Sequence, residues 1–291
     1  MPRSMRHLTP ALVAAAALLL ASCGSSSVAE PAKSEAPKMH MGSGLPGEHA
    51  HGVSRDPGDG KIYLATHQGL FRYDADHAHP VQVGPAVDFM GFSIAGPGRF
   101  YASGHPAEGV DLPKPAGLME SKDAGKTWVV NSRGGESDFH ALTSSSKGVV
   151  GYDGALRSTV DGKTWTESPI TAEPRSLASS PDGSKVLATT TAGLLLSKDQ
   201  GATWAPLPSA PGLLVAAWAD NKTAAGITRT GALAVTTDAG ATWATSKGKV
   251  ASIQTLSASR VDKVLEVLVV TDTGIEQTLD SGATFKPLGN M

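Results

Sequence analysis

The chain has 291 residues, 33 of them glycine and 19 proline, with 5% aromatics, 18% charge and one cysteine. A formal net charge of -2 provides no basic field and argues against nucleic acid as a partner. One cysteine excludes an internal disulfide and any zinc or iron–sulfur site built from several cysteines.

Residues 1–22 read as a signal peptide. Arg3, Arg6 and His7 form a basic start, and the apolar run Ala11–Ala21 is far shorter than the roughly 20 residues of a spanning helix. The run ends in Leu20-Ala21-Ser22-Cys23-Gly24. That segment resembles the lipobox of bacterial lipoproteins, which implies that Cys23 carries lipid and becomes the first mature residue. The expected address is therefore the extracytoplasmic face of the cell membrane or outer membrane, with the membrane as a partner through the N-terminal lipid. Residues 23–47 are rich in Ser, Ala, Pro, Glu and Lys without apolar periodicity, as in a flexible tether. Met39, His40 and Met41 near its end are unusual for a plain spacer.

Residues 48–291 repeat. Ser121–Trp128, Ser197–Trp204, Thr236–Trp243 and Thr278–Phe285 share the pattern Ser/Thr-x-Asp-x-Gly-x-Thr-aromatic; Ser158–Trp165 is a fifth copy with its aspartate one place late. An aspartate in such a turn accepts backbone hydrogen bonds, a glycine supplies a positive φ, and an aromatic side chain packs between sheets. Asp123, Trp128, Asp161, Trp165, Asp199, Trp204, Asp238, Trp243, Asp280 and Phe285 are accordingly read as structural. One carboxylate per turn falls well short of the six to eight oxygens calcium takes.

Short strands recur around each turn, and units anchored at Gly69, Gly117, Gly154, Gly193, Ala232 and Gly274 can be aligned. Six units of four strands predict an all-β fold, a six-bladed β-propeller. In the first unit Tyr73–His79 stands where the repeated turn should be, and the second carries an insertion, Gly104–Pro115.

The repeated turn resembles the Asp-box of sialidases, sortilin-type receptors and photosystem-assembly propellers. From His49 onward the chain is similar to bacterial Asp-box propeller lipoproteins often labelled sialidase-like or glycosyl hydrolase. Glu48-His49-Ala50-His51-Gly52, Ala65–Phe71, Met90-Gly91-Phe92, Tyr101–Pro106 and Asp138–Leu142 are its distinctive segments. The glycosidase label follows from the fold and is analogy. A sialidase would need three arginines for the substrate carboxylate and a tyrosine nucleophile. This chain places only Arg175 and Arg229 at the expected mouth and has just Tyr63, Tyr73, Tyr101 and Tyr152. Asp138, Asp153, Glu173 and Asp272 are the carboxylates left for another glycosidase.

None of the nine histidines follows residue 140. Propeller topology brings the start of each innermost strand and the end of each second strand to the face opposite the repeated turns. His51, Met90 and His140 open innermost strands, and His67 and His105 end second strands, so these five are expected to converge on the channel mouth. In later units Arg175, Gln254 and an aliphatic near Val215 take the first position; Thr191, Arg229 and Asp272 take the second. Imidazole suits copper and zinc, and thioether favours Cu(I). A metal site of His51, His67, Met90, His105 and His140 is one reading, with Met39, His40, Met41 and His49 closing over it. A glycan or other small ligand, an envelope-protein scaffold and a merely hydrated channel mouth stay open beside it. His77 and His79 fall on the opposite face.

Overall fold

The computed structural model describes residues 44–74 and 79–288. Cys23, Met39, His40, Met41 and His77 lie outside the described residues. The chain forms six four-stranded antiparallel sheets, each built from four consecutive strands. Blade 1 comprises β1 (Ala50–Arg55), β2 (Ile62–Thr66), β3 (Gly69–Tyr73) and β4 (Val81–Val83); blade 2 comprises β5 (Val87–Gly96), β6 (Arg99–Pro106), β7 (Leu118–Ser121) and β8 (Val129–Ser132). Blade 3 holds β9 (Ala141–Ser145), β10 (Gly148–Tyr152), β11 (Leu156–Thr159) and β12 (Thr166–Ser168); blade 4 holds β13 (Pro174–Ser179), β14 (Val186–Thr190), β15 (Gly193–Ser197) and β16 (Ala205–Pro206). Blade 5 follows with β17 (Leu213–Trp218), β18 (Ala224–Thr228), β19 (Ala232–Thr236) and β20 (Ala244–Lys249), and blade 6 with β21 (Ile253–Val261), β22 (Val264–Thr271), β23 (Gly274–Thr278) and β24 (Lys286–Pro287). This is the expected six-bladed β-propeller. Each anchor residue starts a third strand or stands one or two places before it.

The apolar pattern explains why the sheets stack. Second strands such as Ile62-Tyr63-Leu64-Ala65-Thr66 and Val186-Leu187-Ala188-Thr189-Thr190 are buried along their whole length, because each blade covers them on both faces. The core divides into six clusters, each across a seam between neighbouring blades. Blades 1 and 2 join through Tyr63, Leu70, Phe89, Phe100 and Trp128. Blades 6 and 1 join through Leu268, Val270 and Ile275 against Ile62, Leu64 and Tyr73. Leu45, in the segment read as the end of the tether, is buried in this last seam. Among the described residues no strand is exchanged between blades 6 and 1, so packing and polar contacts close the ring there. Arg55 in blade 1 donates from Nε and Nη2 to the buried Glu266 carboxylate of blade 6, both at 2.7 Å.

The repeated turns have a common mechanism. In blade 4, Asp199 Oδ1 accepts from Thr203 N at 2.8 Å and from Ser197 Oγ at 2.8 Å. Gly201 N in turn donates to Ser197 Oγ at 2.8 Å. Two successive residues turn left-handed, Gln200 at φ 60° and Gly201 at φ 88°. Glycine suits the second position, where an added Cβ would meet Val150. The turn in blade 3 is a shortened copy. Thr159 and Asp161 keep the roles of Ser197 and Asp199, with Thr159 Oγ1 taking Gly162 N at 2.9 Å. One residue is missing between aspartate and glycine, so the aspartate is in place and the glycine is early. In blade 1 Asp74 is drawn away by Arg72 and Lys61.

Candidate functional site

The innermost strands carry a recurring irregularity near their starts. The register shifts between Ala50 and Gly52, Phe89 and Gly91, Pro174 and Ser176, Leu213 and Val215, and Ile253 and Thr255. A bulge inserts one residue and re-aims its side chain. The inserted residues are His51, Met90, Arg175, Leu214 and Gln254. His140 stands at the corresponding place in blade 3, where its N–H donates to Tyr152 O at 3.1 Å. Leu214, and not the buried Val215, is therefore the aliphatic member in blade 5. The bulge of five blades, with the matching position in blade 3, gives each blade one variable side chain at the channel mouth on a fixed frame.

The histidines fall into two contact groups. In the first, the rings of His49, His51 and His67 pack with centroids 4.8 to 5.7 Å apart. His51 Nε2 and His67 Nε2 face each other at 3.5 Å, too long for a strong hydrogen bond. His67 Nδ1 donates to Asp88 Oδ1 at 2.6 Å, which leaves the neutral ring its Nε2 lone pair toward His51. The second group surrounds Asp138. His105 Nε2 donates to Asp138 Oδ2 at 3.0 Å, and His140 Nε2 lies 3.6 Å from the same oxygen. His105 Nδ1 and Asp138 Oδ1 are buried without a partner. Met90 is half-buried on the β5 bulge between the groups in chain order. Among the described residues, no three His, Cys, Asp or Glu side chains stand ready, as placed, to hold one metal ion.

His49, read from sequence as an auxiliary to the cluster, is in contact with both His51 and His67. Sequence reasoning missed Asp88. Its signal was positional: Asp88 and Asp138 precede Met90 and His140 by two residues, as His49 precedes His51. The histidine at the end of each second strand thus pairs with an aspartate opening the next blade, once for His67 and once for His105.

Electrostatics favour the neutral forms of His49 and His51. Burial, then the neighbouring His49 and His67, lowers the His51 pKa to about 4; Asp88 pulls weakly the other way and His140 adds to the lowering. His49 is also lowered, chiefly by burial and by His67. Below pH 6.5, the ordinary histidine value, the unfolded chain binds a proton that folded His51 refuses down to about pH 4. Stability should therefore fall as pH drops through that window. Histidine NMR signals should show His51 titrating last, and His51→Gln should flatten the decline. A His51 titration near pH 6.5 would remove this account.

A cavity of about 760 Å³ runs along the axis between the innermost strands. His49, His51, His140, Arg175 and Gln254 line its mouth, and serine and threonine hydroxyls line much of its wall. Gln254 bridges blades 6 and 1 there, accepting from Ala50 N at 2.8 Å and donating to Asp272 Oδ1 at 3.0 Å.

No family model and no curated protein matches this chain. Solved structures do resemble it. A GH74 enzyme from Niastella koreensis superposes with a TM-score of 0.56 at 18% identity, over 82% of this chain and 37% of that one. The chain thus spans little more than a third of that enzyme. YCF48 from Cyanidioschyzon merolae gives a TM-score of 0.54 at 12% identity, over 85% of this chain and 98% of that one. YCF48 bound to D1 peptide gives 0.50 at 14%, over 85% and 86%. At these identities the likeness is one of fold, and the fold it shows is the β-propeller.

Proposed function

We propose that this chain is an exported binding module, anchored to the cell envelope by lipid on Cys23, whose propeller takes copper or zinc on the imidazoles of its mouth. The observation that carries the metal reading is the facing pair His51 Nε2 and His67 Nε2, 3.5 Å apart. Two nitrogens bound at about 2.0–2.1 Å to a tetrahedral ion stand about 3.3–3.4 Å apart. The Asp88 carboxylate behind His67 is the kind of partner that fixes the tautomer and orientation of a ligating histidine. A ring rotation of the exposed His49 would supply a third nitrogen. Met90 offers a thioether at the next bulge, and Met39, His40 and Met41 are soft donors on the tether that would favour Cu(I).

A second reading is an assembly scaffold for an envelope protein. It is supported by the match to YCF48 along nearly its full length, one structure of which holds a D1 peptide. The glycoside hydrolase reading draws on the GH74 likeness and has less to stand on. A catalytic pair needs carboxylates free to flank a sugar. Asp138 is engaged by His105, Asp153 by Arg157 and Ser137, and Asp272 by Gln254.

Metal analysis of the full-length chain, purified without a histidine tag, tests the metal reading. The parent should retain about one equivalent of copper or zinc. His51→Ala combined with His67→Ala should abolish uptake while the melting temperature holds, whereas His79→Ala on the far face should change nothing. Equal uptake by the double variant and the parent would refute the site.

A further inference from the structure

Six of the described arginines, Arg55, Arg72, Arg99, Arg133, Arg157 and Arg260, each stand 2.7 to 3.5 Å from a carboxylate. Among the described residues, Arg175 and Arg229 are the exceptions, and both are exposed on the rim of the mouth. Each guanidinium has five N–H donors. Arg175 places one on Ile253 O at 3.5 Å, and Arg229 places one on Thr191 O at 3.0 Å. Arg229 thus reaches from blade 5 back to blade 4, and Arg175 from blade 4 across to blade 6. No acidic side chain among the described residues forms an ion pair with either of them. Glu173, two residues before Arg175, makes no ion pair with it, and Asp272 is held by Gln254.

The cavity beneath gives an independent reason. Its lining includes Arg55, Arg175 and Arg260 and no aspartate or glutamate. Arg55 and Arg260 are paired with Glu266 and Asp220 behind the wall, so Arg175 is the lining arginine without an ion-pair partner. The wall below it carries hydroxyls such as Thr255 and Ser257, which can donate to an anion.

We infer that the rim of blades 4 to 6 is a binding site for a small oxyanion, a carboxylate or phosphate group, held by the forked donors of Arg175 and Arg229. The guanidinium fork matches two oxygens of such a group at once, and the Thr191 carbonyl already holds one arm of Arg229. The site shares the cavity mouth with the proposed metal ligands but does not need them. It uses other blades and no histidine.

Calorimetric titration of the full-length chain, stripped of metal by a chelator, tests it with two probes, inorganic phosphate and succinate. At least one should bind saturably, with affinity falling as sodium chloride rises. Arg175→Ala and Arg229→Ala should each weaken binding about tenfold or more, and the pair should abolish it. Arg175→Lys should restore only part, since an ammonium lacks the fork. Lys198→Ala on the opposite face should match the parent. Melting temperatures should stay level throughout, because both arginines are exposed. Tighter binding of phosphate or of succinate identifies the preferred class. Absence of saturable binding by either probe, undiminished binding by the arginine double variant, or binding that appears only after metal is loaded would overturn the inference.

Discussion

Replacing Glu266 with alanine should cost about 3–5 kcal/mol of folding stability, the range for removing one partner of a buried ion pair. The Glu266 side chain is 1% exposed and accepts from four donors: Arg55 Nε and Nη2, Gln277 Nε2 at 2.7 Å and Ser259 Oγ at 3.0 Å. Burial alone would raise this carboxyl, but the Arg55 guanidinium, with Gln277 and Ser259, holds it below the usual range. Its contribution is therefore complete at neutral pH and is lost as pH falls through the lowered value. The position matters because, among the described residues, blades 6 and 1 share no strand. In Glu266→Ala the Arg55 charge stays at the seam without its partner. Glu167, exposed and paired with Arg157 at 2.9 Å, is the control; Glu167→Ala should change stability by no more than about 1 kcal/mol. Denaturant midpoints of the two variants make the comparison. A Glu266 effect as small as that of Glu167 would mean that apolar packing alone closes the ring.

Nothing local in the sequence announces this closure. Arg55 and Glu266 are 211 residues apart, and neither occupies a repeated position. The blades themselves were legible for the opposite reason. The repeated turn needs an aspartate for its backbone donors and a glycine for its left-handed step, so each copy leaves a fixed mark. In blade 1, where the turn is lost, the anchor Gly69 could still be read from the recurring order of strands. The shortened turn of blade 3 shows the limit. A sequence aligned on its glycine puts Asp161 out of place, whereas hydrogen bonds from Thr159, Lys163 and Thr164 show the aspartate in its usual role.

The mouth was legible as a set of positions and less so as a set of contacts. The bulge on each innermost strand makes His51, Met90 and Arg175 equivalent, and the repeat alignment found that equivalence. It could not say which side chains touch. His67 turns to His51 because Asp88 holds its other nitrogen, and His105 turns to Asp138. Each histidine thus leans to the next blade's aspartate, a choice set by side-chain chemistry within a backbone the repeat had already fixed.

Trp128 and Trp204 occupy the same place in the repeated turn, and their losses should nonetheless differ. Trp128 is 8% exposed and lies in the seam of blades 1 and 2, its ring 5.5 Å from that of Phe89. Large neighbours, Leu70, Phe100 and Met119, surround it, and none can collapse far into the space it would leave. Trp204 is only half-buried at the edge of the seam of blades 3 and 4, and its Nε1 donates to Gly201 O at 3.0 Å. Trp128→Ala should therefore cost about 3–5 kcal/mol and Trp204→Ala about 1–3 kcal/mol, because the cost grows with the cavity left behind. Trp128 Nε1 is buried without a hydrogen-bond partner. Trp128→Phe loses no such bond and should recover most of the alanine deficit, whereas Trp204→Phe forfeits the bond to Gly201 and should recover less of its own. Chemical denaturation of the four variants measures all of this. Equal losses at the two positions would mean that the turn, and not the seam beneath it, sets the worth of its tryptophan.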